Sequence, residues 1–229
     1  MAVDTTLVAA VRQALAAAAD PPKSAGMRAY LKSELPCHGV YSPAMRAIWR
    51  DVFGRCPLDS TADWQDTVRA LWDEAGYREE RYAAIALTGH RRYRRYQVPA
   101  VLPLYDHLVV TGAWWDLVDG VATGRVGPLV RAFPDELAPV MRAWAADEDL
   151  WRRRTAVLHQ VGAKDRTDVR LLQDCLEPNL ERREFFLRKA VGWALRDHAH
   201  TDPDWVRRYV RDHGDRLSPL SRREAVRHL

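Results

Sequence analysis

Two residues one helical turn apart, Trp115 and Asp119, are placed to do chemistry together in the segment GAWWDLVDGVATGRVG (112–127). Side chains at positions i and i+4 of a helix are neighbours, so this spacing sets an indole beside a carboxylate. In a helix over 114–122 the pair lies at the border between an apolar arc and solvent. An aromatic face and an acid at such a border suit a group that develops positive charge. The other residues of that helix have ordinary roles: Asp116 is solvated, and the core takes Trp114, Leu117, Val118, Val121 and Ala122.

The elements that position this pair are predicted to be helices throughout the chain. Period-2 alternation with hairpin turns is absent from the sequence. Helix starts recur at Ser42-Pro43 and Asp202-Pro203, and Ser221 to Glu224 has capping-box spacing. The amphipathic start of the chain indicates a first helix rather than a signal peptide, and no apolar run is long enough to span a membrane.

A weak internal repeat of about 35 residues underlies these helices. Similar apolar pairs occur at Ala84-Ile85, Ala156-Val157, Ala190-Val191 and Ala225-Val226, and the spacing places a further member near residue 120. This length holds two short helices and a turn, which is the unit of an α-solenoid. We therefore predict an all-α solenoid whose concave face could follow a long, curved partner such as a duplex, forming a single domain over residues 1–229. The alternative is an ordinary helical bundle with chance similarity.

Equivalent positions of successive repeats line one face of a solenoid, so Trp115, Asp119, Arg154 and Trp193 are predicted to converge. Gly192 beside Trp193 allows close backbone approach. Two indoles, a carboxylate and a guanidinium would form a cleft for a sugar or base next to a phosphate. The alternative from spacing alone is that Trp115 packs against a neighbouring repeat while Asp119 caps a helix or pairs with an arginine.

Charge and cysteine content narrow the class of protein. The formal net charge is +4 and the pI about 9.1, which mildly favours a polyanionic partner. The run RRYRRY at 91–96 could contact phosphate or could be a solvated helix end. The three cysteines, Cys37, Cys56 and Cys175, are far apart and are predicted to be reduced thiols of a cytoplasmic protein. No metal-ligand spacing is found, so we expect no metal and no cofactor.

At these residues the sequence resembles the AlkD-type DNA glycosylases of the DNA alkylation repair family, from about Met27 to Leu229. The resemblance is carried by MRAYLKSELPCHGVYSPAMR, WWDLVD, WRRRTAVLHQ, REFFLRKAVGWALRDHA and LSPLSRREAVRH. Matched residue by residue, it implies that Trp115 and Trp193 contact the lesion and that Asp119 is catalytic. It also implies that Arg154 binds the DNA backbone and that Tyr30 contacts DNA.

The resemblance implies an all-α solenoid of HEAT-like repeats with a concave DNA-binding face, and it also implies a reaction and a partner. The expected reaction is hydrolytic excision of cationic N3- or N7-alkylated purines from duplex DNA, by an enzyme without lyase activity, without a deep base pocket and without a cofactor. The expected partner is double-stranded DNA containing alkylated purines, bound by a monomer in the cytoplasm and associated with the nucleoid through DNA. The alternative function is a non-catalytic HEAT-like solenoid that binds DNA structures or a protein partner.

Overall fold

The computed structural model describes residues 3–229, and over that range the protein is all-helical, without strands. The architecture is an α-solenoid-like array of helical repeats, as the sequence predicts. Short 3₁₀ segments and one π-helical segment, Ala122–Val126, lie between the α-helices. The α-helices are α1 Thr5–Ala17, α2 Pro21–Leu31, α3 Ser42–Arg55, α4 Thr61–Asp73, α5 Arg78–Thr88, α6 Leu102–Gly112, α7 Trp115–Val121, α8 Gly127–Ala132, α9 Pro134–Ala145, α10 Leu150–Leu158, α11 Val169–Leu176, α12 Phe185–Ala199, α13 Pro203–Asp212 and α14 Pro219–Ala225.

Contacts divide the chain into two compact units, the first ending at Tyr96 and the second running over Gln97–Leu229. In the first unit, α1 packs on α3, α4 and α5, and α4 packs on α5. Its core is strongly aromatic, with Phe53, Trp64, Trp72 and Tyr93 almost completely buried. The organisation of residues 1–229 as one domain stays a prediction.

In the second unit, residues 35 positions apart bond to one another, in one case through the backbone N–H of Gly162. Four such pairs join successive repeats: Asp119 with Arg154, Gly162 with Asp197, Glu181 with Arg216, and Lys189 with Glu224. The helices α7, α10, α12 and α14 stack in that order, because α10 contacts both α7 and α12, and α12 contacts α14. The alanines of the repeated apolar pairs lie inside this stack, with Ala156, Ala190 and Ala225 fully buried, whereas Val226 after the last alanine is 40% exposed.

Two glycines bring the helix backbones of neighbouring repeats unusually close together. A Cβ added at Gly192 on α12 would lie 2.6 Å from Glu224 Cβ and 3.0 Å from the Ser221 carbonyl oxygen on α14. One added at Gly127, where α8 begins, would lie 1.9 Å from the carbonyl oxygen of His159. The close backbone approach predicted at Gly192 is therefore confirmed, and Gly127 makes a closer one.

Gly127→Ala should destabilise the protein by about 3 kcal/mol, since a methyl group cannot occupy the space of a backbone oxygen without separating the two helices. Gly124→Ala is the matched control, because Gly124 lies in the preceding helical turn and a Cβ there meets nothing within 4 Å. That variant should be neutral or slightly more stable, since alanine favours helix more than glycine does. Urea unfolding of both variants measures the difference; equal midpoints would mean that the close approach at Gly127 does not constrain the fold.

Of the three capping residues predicted from the sequence, one caps its helix in the structure and two do not. Asp202 caps α13, as predicted, by accepting the backbone N–H of Trp205 at 2.9 Å. At α3 the cap position is Tyr41, and Ser42 is the first helical residue. At α14 the capping side chain is Ser218, while Ser221 lies inside the helix and donates to the Arg188 carbonyl, so the capping box predicted at Ser221 is wrong.

None of the described helices combines the length and the apolar character that crossing a bilayer requires.

Candidate active site

The helix that carries the acid, α7, begins at Trp115 because the two residues before it are not helical. Ala113 ends α6 in the left-handed region (φ 42°), and Trp114 is extended (φ −153°, ψ 144°). The sequence interpretation that placed Trp114 inside the helix is therefore wrong by one residue. Its ring is half-buried, packing edge-on against Phe186 at 5.2 Å and tilted against Trp151 at 6.3 Å.

Trp115 and Asp119 lie one turn apart on α7, as their spacing predicts, and both are half-buried. The side chain of Asp119 is 16% exposed, so its carboxylate lies at the border of the core and keeps limited contact with solvent. The opposite face of the helix is anchored in the core by Leu117, Val118 and Val121. The chain thus presents an indole and an acid together on the partly open side of a fixed helix.

The carboxylate of Asp119 is held by Arg154 of α10 through two parallel hydrogen bonds. The guanidinium Nε donates to Oδ1 at 2.7 Å, and Nη2 donates to Oδ2 at 2.8 Å. Arg154 is itself 5% exposed at its side chain. Bidentate geometry of this kind fixes both the position and the orientation of a carboxylate. Pairing of Asp119 with an arginine is what the alternative interpretation of the sequence predicted. The pair leaves part of the carboxylate exposed to solvent.

The third nitrogen of the same guanidinium connects the pair to the next repeat. Arg154 Nη1 donates to the backbone carbonyl of Phe186, near the start of α12, and the guanidinium carbon lies 5.9 Å from the Phe186 ring. One arginine therefore links α7, α10 and α12. In this arrangement all three of its nitrogens are engaged by protein, and the phosphate contact expected of Arg154 stays a prediction.

Burial raises the pKa of Asp119 above its ordinary value, and the negative charge of Asp116 adds to the effect. The hydrogen bonds and positive charge of Arg154 oppose that shift. Desolvation disfavours a charged carboxylate, and a paired guanidinium favours it. Arg154 is thus the group that counters burial and favours an ionised acid at this position.

Trp193 lies on α12, two turns beyond Phe186, and is half-buried against the core around Val157 and Leu158. Two cations on the same helix flank it, Lys189 and Arg196, and both bind Glu224 of α14. Lys189 Nζ donates to Glu224 at 3.0 Å. The structure therefore places Trp193 on the helix that Arg154 ties to Asp119, beside a second cluster of ion pairs.

The segment after α7 remains helical. It forms the π-helical turn Ala122–Val126 and continues directly into α8. Thr123 lies in this turn and donates to the carbonyl of Asp119 at 2.8 Å. Pro128 is tolerated because it falls in the first turn of α8. Single π-turns inside helices are frequent at functional sites, and this one directly follows the acid.

Comparison with known proteins places the chain in a family. The family model described as "DNA alkylation repair enzyme" matches residues 11–229. The chain belongs to the DNA alkylation repair enzyme family. A solved structure described as a predicted DNA alkylation repair enzyme from Enterococcus faecalis is 28% identical to it, with a TM-score of 0.81, over 92% of this chain and 96% of that one. No curated protein matches the chain. The family assigns the protein a role in the repair of alkylated DNA.

The remaining residue predicted to contact DNA, Tyr30, lies on α2 in the first unit and is 74% exposed. An exposed tyrosine offers both a ring face and a hydroxyl to a partner. Its contact with DNA stays a prediction.

Within residues 3–229, no group of three or more His, Cys, Asp or Glu side chains is arranged to hold a metal ion.

The sequence interpretation missed three charged residues of this DNA alkylation repair enzyme, Lys189, Arg196 and Glu224, and the carbonyl of Phe186. The repeat carried a signal for two of them. Starting from Asp119, steps of 35 residues lead to Arg154, Lys189 and Glu224, which are the members of the two ion pairs. No sequence pattern indicates a backbone carbonyl as a partner, since every residue carries one.

Proposed function

We propose that the protein is a monofunctional DNA glycosylase that hydrolyses the N-glycosidic bond of N3- or N7-alkylated purines in duplex DNA. The observation that carries the proposal is the half-buried carboxylate of Asp119, fixed by Arg154 one helical turn from Trp115, in a chain of the DNA alkylation repair family. Membership of the family indicates that the damage is alkylation, and the carboxylate beside an indole suggests hydrolysis of a glycosidic bond.

One carboxylate is sufficient for this reaction because the substrate carries its own activation. Alkylation at N3 or N7 makes the purine cationic, so it departs as a neutral base without being protonated. Glycosidases that act on sugars need a second carboxyl group as an acid for their leaving group. Here the bond from C1′ to the purine breaks, the electron pair leaves with the base, and water adds to C1′. The water proton passes to solvent, leaving an abasic site.

In this proposal Asp119 stabilises the positive charge that develops on the sugar. A carboxylate has about four acceptor positions, of which Arg154 occupies two. The others are free to accept a hydrogen bond from the attacking water or to face the oxocarbenium-like sugar. Opposite charges about 4 Å apart attract by about 4 kcal/mol at the effective dielectric typical of protein surfaces. The same acid can therefore orient the water and lower the barrier to bond cleavage.

Trp115 and Trp193 are proposed to contact the deoxyribose of the damaged nucleotide. The faces of indole rings carry negative charge density and attract cations and polarised C–H groups. Their faces would therefore favour a sugar that becomes cationic over the neutral sugar of an intact nucleotide. A group that binds the transition state more strongly than the ground state accelerates the reaction.

The proposed enzyme is expected to lack lyase activity because the lysine of α12 is engaged in an ion pair. Lyase chemistry proceeds through a Schiff base, which needs an uncharged lysine. Lys189 is the lysine of α12 and lies one turn before Trp193. Its ammonium group donates a hydrogen bond to Glu224 at 3.0 Å.

The test uses a duplex oligonucleotide with a single 7-methylguanine. We expect the free base to be released and the abasic strand to remain intact until treated with alkali. Borohydride, which traps Schiff bases, should give no covalent protein–DNA adduct. Tight, saturable binding with no base release from 7-methylguanine or 3-methyladenine would instead show a non-catalytic solenoid that recognises DNA. A trapped adduct would overturn the hydrolytic assignment.

A further inference from the structure

A cluster of four exposed arginines, Arg91, Arg92, Arg94 and Arg95, lies at the end of the first unit in the 3₁₀ segment Arg91–Tyr96. The two tyrosines of the same segment, Tyr93 and Tyr96, are buried. A 3₁₀ helix has three residues per turn, so side chains three apart lie in one column. The segment bends at Tyr93 but keeps this division, with one buried column of tyrosines and two exposed columns of arginines.

The tyrosines anchor the segment rigidly. The hydroxyl of Tyr93 accepts the backbone N–H of Leu58 at 3.0 Å, and the Tyr96 hydroxyl donates to the carbonyl of Asp59 at 3.2 Å. The Tyr96 ring also packs on Trp64 with ring centres 5.5 Å apart. A run of arginines that served only solubility would need no such anchoring. Holding the backbone fixed lowers the entropy lost when the arginines bind a partner.

The positive charge of this cluster is mostly uncompensated. No carboxylate of the described residues forms an ion pair with Arg91, Arg92 or Arg94. Arg95 lies over the Tyr96 ring at 5.0 Å and donates to its hydroxyl. Elsewhere many arginines are paired with acids, namely Arg12, Arg55, Arg142, Arg152, Arg154, Arg182, Arg196, Arg207, Arg211 and Arg216.

The neighbouring histidine responds to the same positive field. Burial first, and then the charges of Arg92 and Arg91, lower the pKa of His90. One acid, Asp59, acts on Arg95 through its charge. Closely spaced guanidinium groups with few acidic partners, held on a fixed backbone, attract a polyanion.

We propose that the arginine cluster at 91–95 binds the phosphate backbone of duplex DNA, as a contact additional to the site around Asp119. The inference rests on the proposed function, which makes duplex DNA the substrate. Guanidinium groups bind phosphate through two parallel hydrogen bonds, and the segment presents two exposed arginines on each side of Tyr93. A DNA strand carries a phosphate for every 3.4 Å or so of helix axis, so the cluster can engage several phosphates at once. Such contacts read no sequence, and they hold the enzyme on undamaged DNA while it searches.

The experiment measures binding of an undamaged fluorescent duplex across a series of potassium chloride concentrations. The variant combines Arg91→Gln, Arg92→Gln and Arg94→Gln and leaves both tyrosines in place. Affinity at low salt should fall at least tenfold. The slope of log K against log salt should decrease by about 0.9 for each phosphate that the variant no longer binds, which amounts to about two to three in total.

The matched control removes three exposed arginines from α13 by combining Arg207→Gln, Arg208→Gln and Arg211→Gln. Net charge falls equally in both variants, so a much smaller loss of affinity in the control supports the proposal. Equal losses would show that binding follows net charge alone and would overturn it. An unchanged salt slope in the cluster variant, with thermal unfolding also unchanged, would overturn it as well.

Failure of the glycosylase proposal and failure of the arginine-cluster proposal give different experimental results. Binding to undamaged DNA does not depend on catalysis, so the cluster is tested even if the wild-type protein releases no base. If the wild type is a glycosylase, the cluster variant should release 7-methylguanine at the wild-type rate once the DNA is saturating. A slower rate at saturation would mean that the arginines act in the chemical step, against the proposal.

Discussion

Asp119→Asn should slow the release of 7-methylguanine at saturating DNA by 100-fold or more, while the affinity for DNA stays within a few-fold of wild type. Removing one electrostatic group from a catalytic site typically costs about 10²–10³ in rate. The asparagine has the same shape as the acid and lacks its charge, so it cannot stabilise a cationic sugar and is a weaker acceptor for the attacking water. Single-turnover base release measures the rate, and fluorescence anisotropy measures the affinity.

The matched control for that substitution is Asp116→Asn. Asp116 lies on the same helix three residues earlier, is also half-buried, and loses the same charge. Because its negative charge raises the pKa of Asp119, removing it should lower that pKa and leave the rate at neutral pH nearly unchanged. Undiminished release by Asp119→Asn, or an equal loss from both variants, would remove Asp119 from the mechanism.

Arg154→Gln should have the second-largest effect, acting on both stability and the pH dependence of excision. Removing one partner of a buried ion pair leaves an uncompensated charge, which costs about 3–5 kcal/mol. The double variant Asp119→Asn with Arg154→Gln should recover part of that loss, since no unpaired charge remains. Urea unfolding of the single and double variants measures the coupling between the two residues.

The pH profile tests what Arg154 does for the acid. The active form of Asp119 is the carboxylate, and burial already raises its pKa, so wild-type excision should decline as the pH falls through a value above 3.8. In Arg154→Gln the opposing effect of the guanidinium is lost, and the pKa rises further. Excision by this variant should therefore decline at a higher pH than excision by the wild type.

Arg152→Gln is the control for Arg154→Gln. Arg152 lies on the same helix and binds Asp106 with the same two-bond geometry, at 2.7 and 2.8 Å, but its side chain is 31% exposed. Exposed pairs contribute about 1 kcal/mol or less, so its loss should be mild and the pH profile unchanged. If Arg154→Gln also keeps the wild-type profile but lowers the salt slope of DNA binding by about one, Arg154 binds phosphate, as the family resemblance implies, and does not tune the acid.

The sequence by itself determined the helical class, the repeat of about 35 residues and the pairing of Trp115 with Asp119 on one helix face. All three follow from local periodicity, because side chains three and four residues apart meet on any helix whatever surrounds it. Gly192 was foreseen for a similar reason: a glycine inside an otherwise continuous helix points to a close neighbour.

Only the tertiary structure showed that the guanidinium of Arg154 binds Asp119 and the carbonyl of Phe186. It also showed that Lys189 and Arg196 share Glu224. Finally, it showed that α7 begins at Trp115, because the backbone of Trp114 is extended. Each of these depends on the register and distance between helices of different repeats. Contacts such as that of Gly127 with the His159 carbonyl set that distance to within an ångström. A repeat period indicates which helices are neighbours, but hydrogen bonds form over a range of a few tenths of an ångström, so packing of the whole core selects the partners.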